Sequence, residues 1–144
     1  MTQQEHTSTQ FDKELGELHG LVTQMGILVE SQVRDVIRIL DAANAELVES
    51  VIANDHRVNA LEVRIDEECD RIVVLRQPAA VDMRTVMAIV KIVTDLERIG
   101  DEAKNIAHIV QRHRLPSAAM LPYEIRRSAE NALAMLHRSL DNFA

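Results

Sequence analysis

Cysteine is nearly absent from this chain, and the single thiol, Cys69, leaves no internal disulfide to hold the fold together. Tryptophan is missing and aromatics make up only 2% of residues although 47% are hydrophobic, so the core has to be aliphatic. Glycine occurs four times and proline three times, with two of the prolines between Leu115 and Pro122. So few breakers, in a chain rich in Ala, Leu, Glu and Arg, predict long helices. Basic residues are outnumbered, 16 against 23 acids, for a net charge of -7. That balance argues against a nucleic-acid binder, which needs a basic stripe to neutralise phosphates. No apolar stretch reaches the roughly 18 to 20 residues that cross a bilayer, so a membrane link would run through a partner. The opening Met1-Thr2-Gln3-Gln4-Glu5-His6 has neither the positive end nor the apolar run of a signal peptide, so the expected location is cytoplasmic.

What is present is helical periodicity. The chain's 144 residues fit one domain, large enough to bury roughly 68 to 70% of its unfolded surface. Leu15, Leu18, Val22, Met25, Val29, Gln32, Val36 and Ile39 alternate steps of three and four, the mark of a helix packed on helices, and only Gln32 breaks that seam. The pattern predicts helix 1 over about 9–41, with Asn44 as the N-cap of the next helix. Helix 2 carries Leu47, Val51, Val58, Leu61, Ile65, Cys69 and Ile72 on one side and stops before Pro78. Helix 3 is expected over about 80–112, followed by a linker at 113–122 and helix 4 over about 123–143. Short connections make neighbours antiparallel, so the expected fold is all-α: an up-down-up, spectrin-like three-helix bundle plus one further helix.

Helix 4 offers Ile125, Ala129, Ala132, Leu133, Leu136 and Leu140 to a neighbour, either this bundle or another chain. A faint repeat at an offset of one hundred residues pairs Glu30, Val33, Arg38, Leu40 and Asp41 with Glu130, Leu133, Arg138, Leu140 and Asp141. It reads helix 4 as a second copy of the end of helix 1; the competing reading is coincidence between two amphipathic helices.

Two acids of the segment Asp95-Leu96-Glu97-Arg98-Ile99-Gly100-Asp101 project to the wrong side of helix 3. At about 100° per residue, Arg84, Lys91, Arg98 and Glu102 share one polar face, whereas Glu97 and Asp101 fall beside Met83, Val86 and Val90. On helix 2, Glu62 and Asp66 lie near Val48 and Val73, away from a solvent face of Arg57, Arg64, Glu67 and Arg71. Spacing is not the signal, because 23 acids placed at random give roughly three or four pairs at i, i+4, and the chain has three. Position is the signal: an ionised carboxylate near an apolar seam needs a cation, a basic side chain or a metal. Antiparallel helices 2 and 3 would bring the two pairs to similar heights as a carboxylate cluster. Oxygen-only donors of this kind suit iron(III), magnesium, manganese or calcium, whereas zinc prefers a nitrogen or sulfur among its ligands. His108 lies on the same side as Asp101 but, as a lone histidine, is left out of the site, and Cys69 reads as a small buried hydrophobe.

Motifs along nearly the whole chain resemble the PhoU family of phosphate-uptake regulators. They are Phe11-Asp12 with Glu14-Leu15, Met25-Gly26, Leu28-Val29-Glu30, Asp55 with Asn59, Leu61-Glu62, Ile65-Asp66-Glu67, Gln77-Pro78, Asp82-Met83-Arg84, Asp95 to Asp101 and Asn105-Ile106. The resemblance implies tandem three-helix bundles, each with acidic E(D)xxxD motifs that bind iron or zinc clusters. Glu62 with Asp66 and Glu97 with Asp101 are the matching positions. It also implies a negative regulator of the phosphate-starvation response, acting between the phosphate ABC transporter ATPase and a sensor histidine kinase, and forming homodimers or higher oligomers.

On this basis residues 1–112 are expected to form the first PhoU-like bundle, 113–122 a linker, and 123–144 the first helix of a second repeat. The chain then reads as a fragment, or as a short form whose helix 4 completes a bundle by dimerisation or helix exchange. Two readings stand beside the regulator. A ferritin-like, metal-dependent enzyme needs Glu-x-x-His steps, and none of the six histidines has Glu three residues before it. A metal-free helical adaptor would use the acids as ordinary surface charge. No Gly-rich phosphate loop or Cys-x-x-Cys supports catalysis, so a non-enzymatic role is expected. The partner surface is assigned to Arg84, Lys91, Arg98 and Glu102.

Overall fold

A computed structural model describes residues 3–42, 44–76, 78–113 and 122–143. It contains four helices: α1 (Gln3–Asp41), α2 (Ala45–Arg76), α3 (Ala80–His113) and α4 (Tyr123–Phe143). Helix α1 starts earlier than the expected residue 9, because its polar first turns continue the helix without a breaker. Most of the expected linker, 114–121, lies outside the described residues, and His113 closes α3 instead of opening the linker.

Local chemistry sets the boundaries. Asn44 Oδ1 accepts hydrogen bonds from the backbone N–H of Glu46 at 2.9 Å and of Leu47 at 3.4 Å, the expected cap of α2. Pro78 has no N–H to extend α2. The next helix begins where Met83 N–H donates to Ala79 O at 2.9 Å. Pro122 plays the matching part for α4, its carbonyl accepting from Ile125 N–H at 3.0 Å.

Helices α1, α2 and α3 all pack on one another, making the three-helix bundle. Among the described residues α4 packs on α1 alone. It runs antiparallel to α1, because Asp41 pairs with Arg126, Glu30 with His137, and His19 with Phe143. The fourth helix therefore covers its own chain, with Leu136, Leu140 and Phe143 against the core and Gly26 leaving room for Leu140. Ile125 and Ala132, expected on the packing face, stay exposed, as α4 touches the bundle along one narrow stripe.

The core forms two apolar clusters. One gathers Leu18, Val22, Met25 and Val29 of α1 with Val58, Ile65, Cys69 and Ile72 of α2 and Val86, Ile89, Val93 and Leu96 of α3. The other gathers Val36, Ile39, Val48, Val51, Ala103, Ala107 and Val110. Each fully buried aliphatic side chain contributes about 1.5–3 kcal/mol. Between the clusters lies a polar layer. Gln32 is fully buried there, and its Nε2 donates to Val51 O at 3.2 Å. Gly100 backs onto it from α3. The one residue that broke the helix 1 seam is thus a contact between all three helices.

Candidate functional site

The four acids singled out from the sequence occupy the face shared by α2 and α3, and the structure divides them. Glu62 and Glu97 are half-buried and close enough to act on each other. Burial raises the Glu62 carboxyl above its ordinary value, and the charges of Glu97 and then Asp66 push it the same way. Among the described residues none of Glu62, Asp66 and Glu97 has an ion-pair partner, and Asp66 stands in solvent. Antiparallel packing thus brings Glu62 of α2 and Glu97 of α3 to one height.

Asp101 is held apart from that group. Its Oδ1 lies 2.6 Å from Lys104 Nζ, and its side chain is 45% exposed. The same ammonium is 2.9 Å from Asp55 Oδ2, and Asp55 is only 3% exposed. Asn59 Nδ2 donates weakly to the same Asp55 oxygen at 3.5 Å. The bridge raises the Lys104 ammonium above its ordinary value, chiefly through Asp101 and then Asp55. Helix projection placed Glu97 and Asp101 at the core edge; they are half-buried there, and the fully buried acid of α2 is Asp55.

Asp55 had a sequence signal. The helix 2 seam steps from Val51 to Val58, and Asp55 fills the gap on the same stripe. Glu14 had a similar one, three residues after Phe11 and four before Leu18. It is 4% exposed at the far end of the bundle. Its Oε2 accepts from Arg76 Nε at 3.0 Å, and its Oε1 accepts from Arg76 at 2.7 Å, Arg71 at 3.3 Å and Gln10 at 3.2 Å. Arg76 foremost lowers this carboxyl from 4.5 to about 2, against its own desolvation. Arg71, assigned to the solvent face, is instead partly buried between Glu14 and Glu68, because the acid it neutralises lies inside.

Of the remaining groups, Cys69 is buried, and desolvation with nearby acids pushes its thiol up to about 11, as suits a core hydrophobe. His108 is half-buried on α3. Arg84, Lys91, Arg98 and Glu102 are all exposed along α3, as projected.

Comparison with known proteins places this arrangement. The model of the PhoU domain matches residues 22–110, which include all four acids, Asp55 and Lys104. The chain belongs to the PhoU family. A phosphate-specific transport system accessory protein PhoU homolog of Burkholderia sp. is 43% identical over 143 residues, covering 96% of this chain and 60% of that relative. The accessory protein PhoU of Escherichia coli K12 is 39% identical over 139 residues, 96% of this chain and 58% of its own length. The crystal structure of PhoU from Pseudomonas aeruginosa superposes with a TM-score of 0.83 at 37% identity, covering 92% of this chain and 64% of that one. The chain therefore spans about three-fifths of the length of these PhoU relatives. The PhoU-domain match ends before α4, whereas the relatives align over nearly the whole chain.

The metal clusters associated with PhoU motifs can be tested against these residues. Glu62, Asp66 and Glu97 are oxygen donors that repel one another without a counter-cation, the chemistry that a hard metal ion relieves. Among the described residues, however, no three acidic, histidine or cysteine side chains converge to ligating distance, and Asp101 is engaged by Lys104. The donor set fits a hard cation in kind. The four acids are not gathered into a metal site among the described residues.

Proposed function

We propose that this chain acts as a regulator of phosphate transport, restraining the phosphate-starvation response between a phosphate ABC transporter and its sensor histidine kinase when phosphate is plentiful. The observation that carries this is the 43% identity over 143 residues to an accessory protein of the phosphate-specific transport system, supported by the shared helical fold. The role is non-catalytic and works by binding. The exposed α3 face of Arg84, Lys91, Arg98 and Glu102 meets the transporter's ATPase or the kinase in the cytoplasm, and the chain works as a homodimer or higher oligomer. No helix among the described residues is long and apolar enough to cross a membrane, which is consistent with reaching the transporter through a protein partner. Residues 123–144 belong, in this reading, to a second PhoU-like repeat.

Glu62, Asp66, Glu97 and Asp101 are proposed to hold iron, with manganese or magnesium as alternatives and zinc less suited to oxygen-only ligands. Such a metal would supply positive charge that draws α2 and α3 together at this face. The chain's own residues supply the rest: Glu62 and Glu97 face each other, Asp66 adds a third carboxylate, and Asp101 adds a fourth when freed. A ferritin-like enzyme is less well supported, because the buried acids Glu14 and Asp55 are already paired with bases. The metal-free adaptor has one specific observation in its favour, the neutralisation of Asp101 by Lys104.

Two measurements test the proposal. In a strain lacking its own regulator, expression of this chain should lower a phosphate-starvation reporter, and the chain should capture the ATPase or the kinase sensor domain. Charge reversal at Arg84, Lys91 and Arg98 that leaves capture intact rejects this surface. Metal analysis of purified protein, with Glu97→Ala/Asp101→Ala as the control, separates the regulator with metal from the adaptor. A metal-free protein whose stability ignores the double substitution rejects the cluster.

A further inference from the structure

Helix α4 is held on α1 by a narrow stripe, and two of the contacts along it are histidines. Among the described residues α4 packs on α1 alone, and none of its own residues is fully buried. Near its C-terminal end, His19 of α1 stacks on the Phe143 ring, with centroids 4.2 Å apart and planes within 9°. His19 Nε2 lies 2.7 Å from Phe143 O, and because a carbonyl only accepts, that nitrogen carries the hydrogen. Further back along α4, His137 stands between two carboxylates. Its Nδ1 is 3.4 Å from Glu30 Oε2 on α1, and its Nε2 is 3.3 Å from Asp141 Oδ2 on α4.

A neutral imidazole has one N–H, so a neutral His137 satisfies one of these acids and turns a bare nitrogen toward the other; an imidazolium donates to both. The two acids differ in one respect. Asp141 belongs to His137's own helix, four residues on, and stays beside it wherever α4 goes, whereas Glu30 is met only when α4 lies on α1. Docking itself therefore favours the second proton. His19 gives the same sign, because its Nε2–H is already committed to Phe143 O and a positive ring stacked over an aromatic face is attracted by it. Two further charges stand near His137. Arg34 of α1 takes the other oxygen of Glu30, leaving Oε2 to the histidine, and Arg138 adjoins it in sequence on α4. Both oppose a positive ring, but neither occupies the oxygen that faces it. His19 has no ion-pair partner among the described residues, so the stack and the carbonyl are what its charge meets.

We propose that His19 and His137 make the docking of α4 on α1 proton-dependent. The docked helix holds more protons than the released one, so docking has its full support below the ordinary histidine value of about 6.5 and loses that support as the pH rises through the histidine range. Release uncovers the apolar stripe of Leu136, Leu140 and Phe143 together with the surface of α1 at Gly26.

The test is hydrogen exchange of the 144-residue chain from pH 5.5 to pH 8, with each rate corrected for its intrinsic pH dependence and the α2 and α3 amides as internal controls. Protection of the α4 amides should fall by about twofold to fivefold over that interval, the range of one exposed ion pair, while α2 and α3 hold constant. Glu30→Gln should shrink the fall and Asp141→Asn should shrink it less, since only Glu30 is lost on release. His19→Gln/His137→Gln keeps hydrogen-bonding side chains without the titration and should abolish the fall. His137→Lys, charged throughout, should leave α4 better protected at pH 8 than His137→Gln does. Constant α4 protection in the wild type, an equal fall in α2 and α3, or a fall that survives the double histidine variant overturns the proposal. Equal protection of His137→Lys and His137→Gln at pH 8 removes charge as the cause and overturns it as well.

Discussion

Glu14 makes acid stability a direct test of the buried ion pairs. The folded chain holds this carboxyl charged down to about pH 2, whereas an unfolded chain protonates it near the ordinary value of 4.5. Between those values unfolding takes up a proton, so acid favours the unfolded state; the contribution of Glu14 is complete above pH 4.5 and is lost as the pH falls toward 2. The full displacement corresponds to about 3 kcal/mol. Both guanidiniums reach solvent, Arg71 with 40% of its side chain exposed and Arg76 with 26%, and that screening reduces the figure to about 1–2 kcal/mol. For a chain of this length the loss lowers the melting temperature by about 3–6 °C. Glu14→Gln keeps the shape and removes the charge. Its melting temperature, followed by circular dichroism, should fall below the wild type by that amount at pH 7 and converge with it by pH 2. A gap that stays constant from pH 7 to pH 2 refutes the ion-pair account and leaves only packing.

Three further substitutions probe other joints of the structure. A Cβ at Gly100 would stand 2.9 Å from Gln32 Oε1, and the amide cannot swing aside without losing its bond to Val51. Gly100→Ala should therefore lower stability in urea unfolding despite a helix-propensity gain of about 1 kcal/mol, and become stabilising in a Gln32→Ala background. A side chain at Gly26 meets Leu140, so Gly26→Leu should loosen α4 while sparing the bundle. Hydrogen exchange of the α4 amides should quicken by about tenfold with α2 and α3 unchanged, and uniform quickening would deny that α4 is a separately docked element. Glu62 is raised by burial and by Glu97, so its charged form burdens the metal-free fold. Glu62→Gln should raise the metal-free melting temperature by about 1–3 °C at pH 7, less at pH 4 where the acid is largely protonated; a fall at pH 7 would contradict that sign.

The helices were legible because periodicity and punctuation agree. Asn44, Pro78 and Pro122 end or begin elements where they stand, and the seam from Leu18 to Ile39 is buried as its steps of three and four require. The nearness of Glu62 to Glu97 across α2 and α3 was legible for the same reason: projection gives a side, and antiparallel order gives a height. What projection cannot supply is the partner. Asp101 and Glu97 lie on one side of α3, yet one meets Lys104 and the other meets Glu62, a difference set by the reach of a flexible lysine from the next turn. Glu14 and Asp55 occupy seam positions, but the apolar members of a seam do not show whether a charged member is buried. Their burial depends on bases contributed by other helices, at separations of 57 to 62 and 49 residues.

Those buried polar groups also explain why the acidic face keeps one geometry. An aliphatic seam repeating every seven residues is nearly degenerate, since a slide of one heptad exchanges Val for Val or Ile for Leu at small cost. Here such a slide of α2 would move Val51 O away from the buried Gln32 amide and carry Asp55 away from Lys104, leaving an unpaired charge inside. A slide of α3 would replace Gly100 beside Gln32 with a residue that has a side chain, where a Cβ alone is already too close. The polar layer between the two apolar clusters thus fixes α2 and α3 against α1. Glu97 is one turn from Gly100 on α3, and Glu62 lies two turns beyond Asp55 on α2, so the same contacts that fix the register hold them opposite one another. The seam's single polar interruption and the acids that first stood out on α3 belong to one device: the interior sets the register, and the register presents the carboxylates.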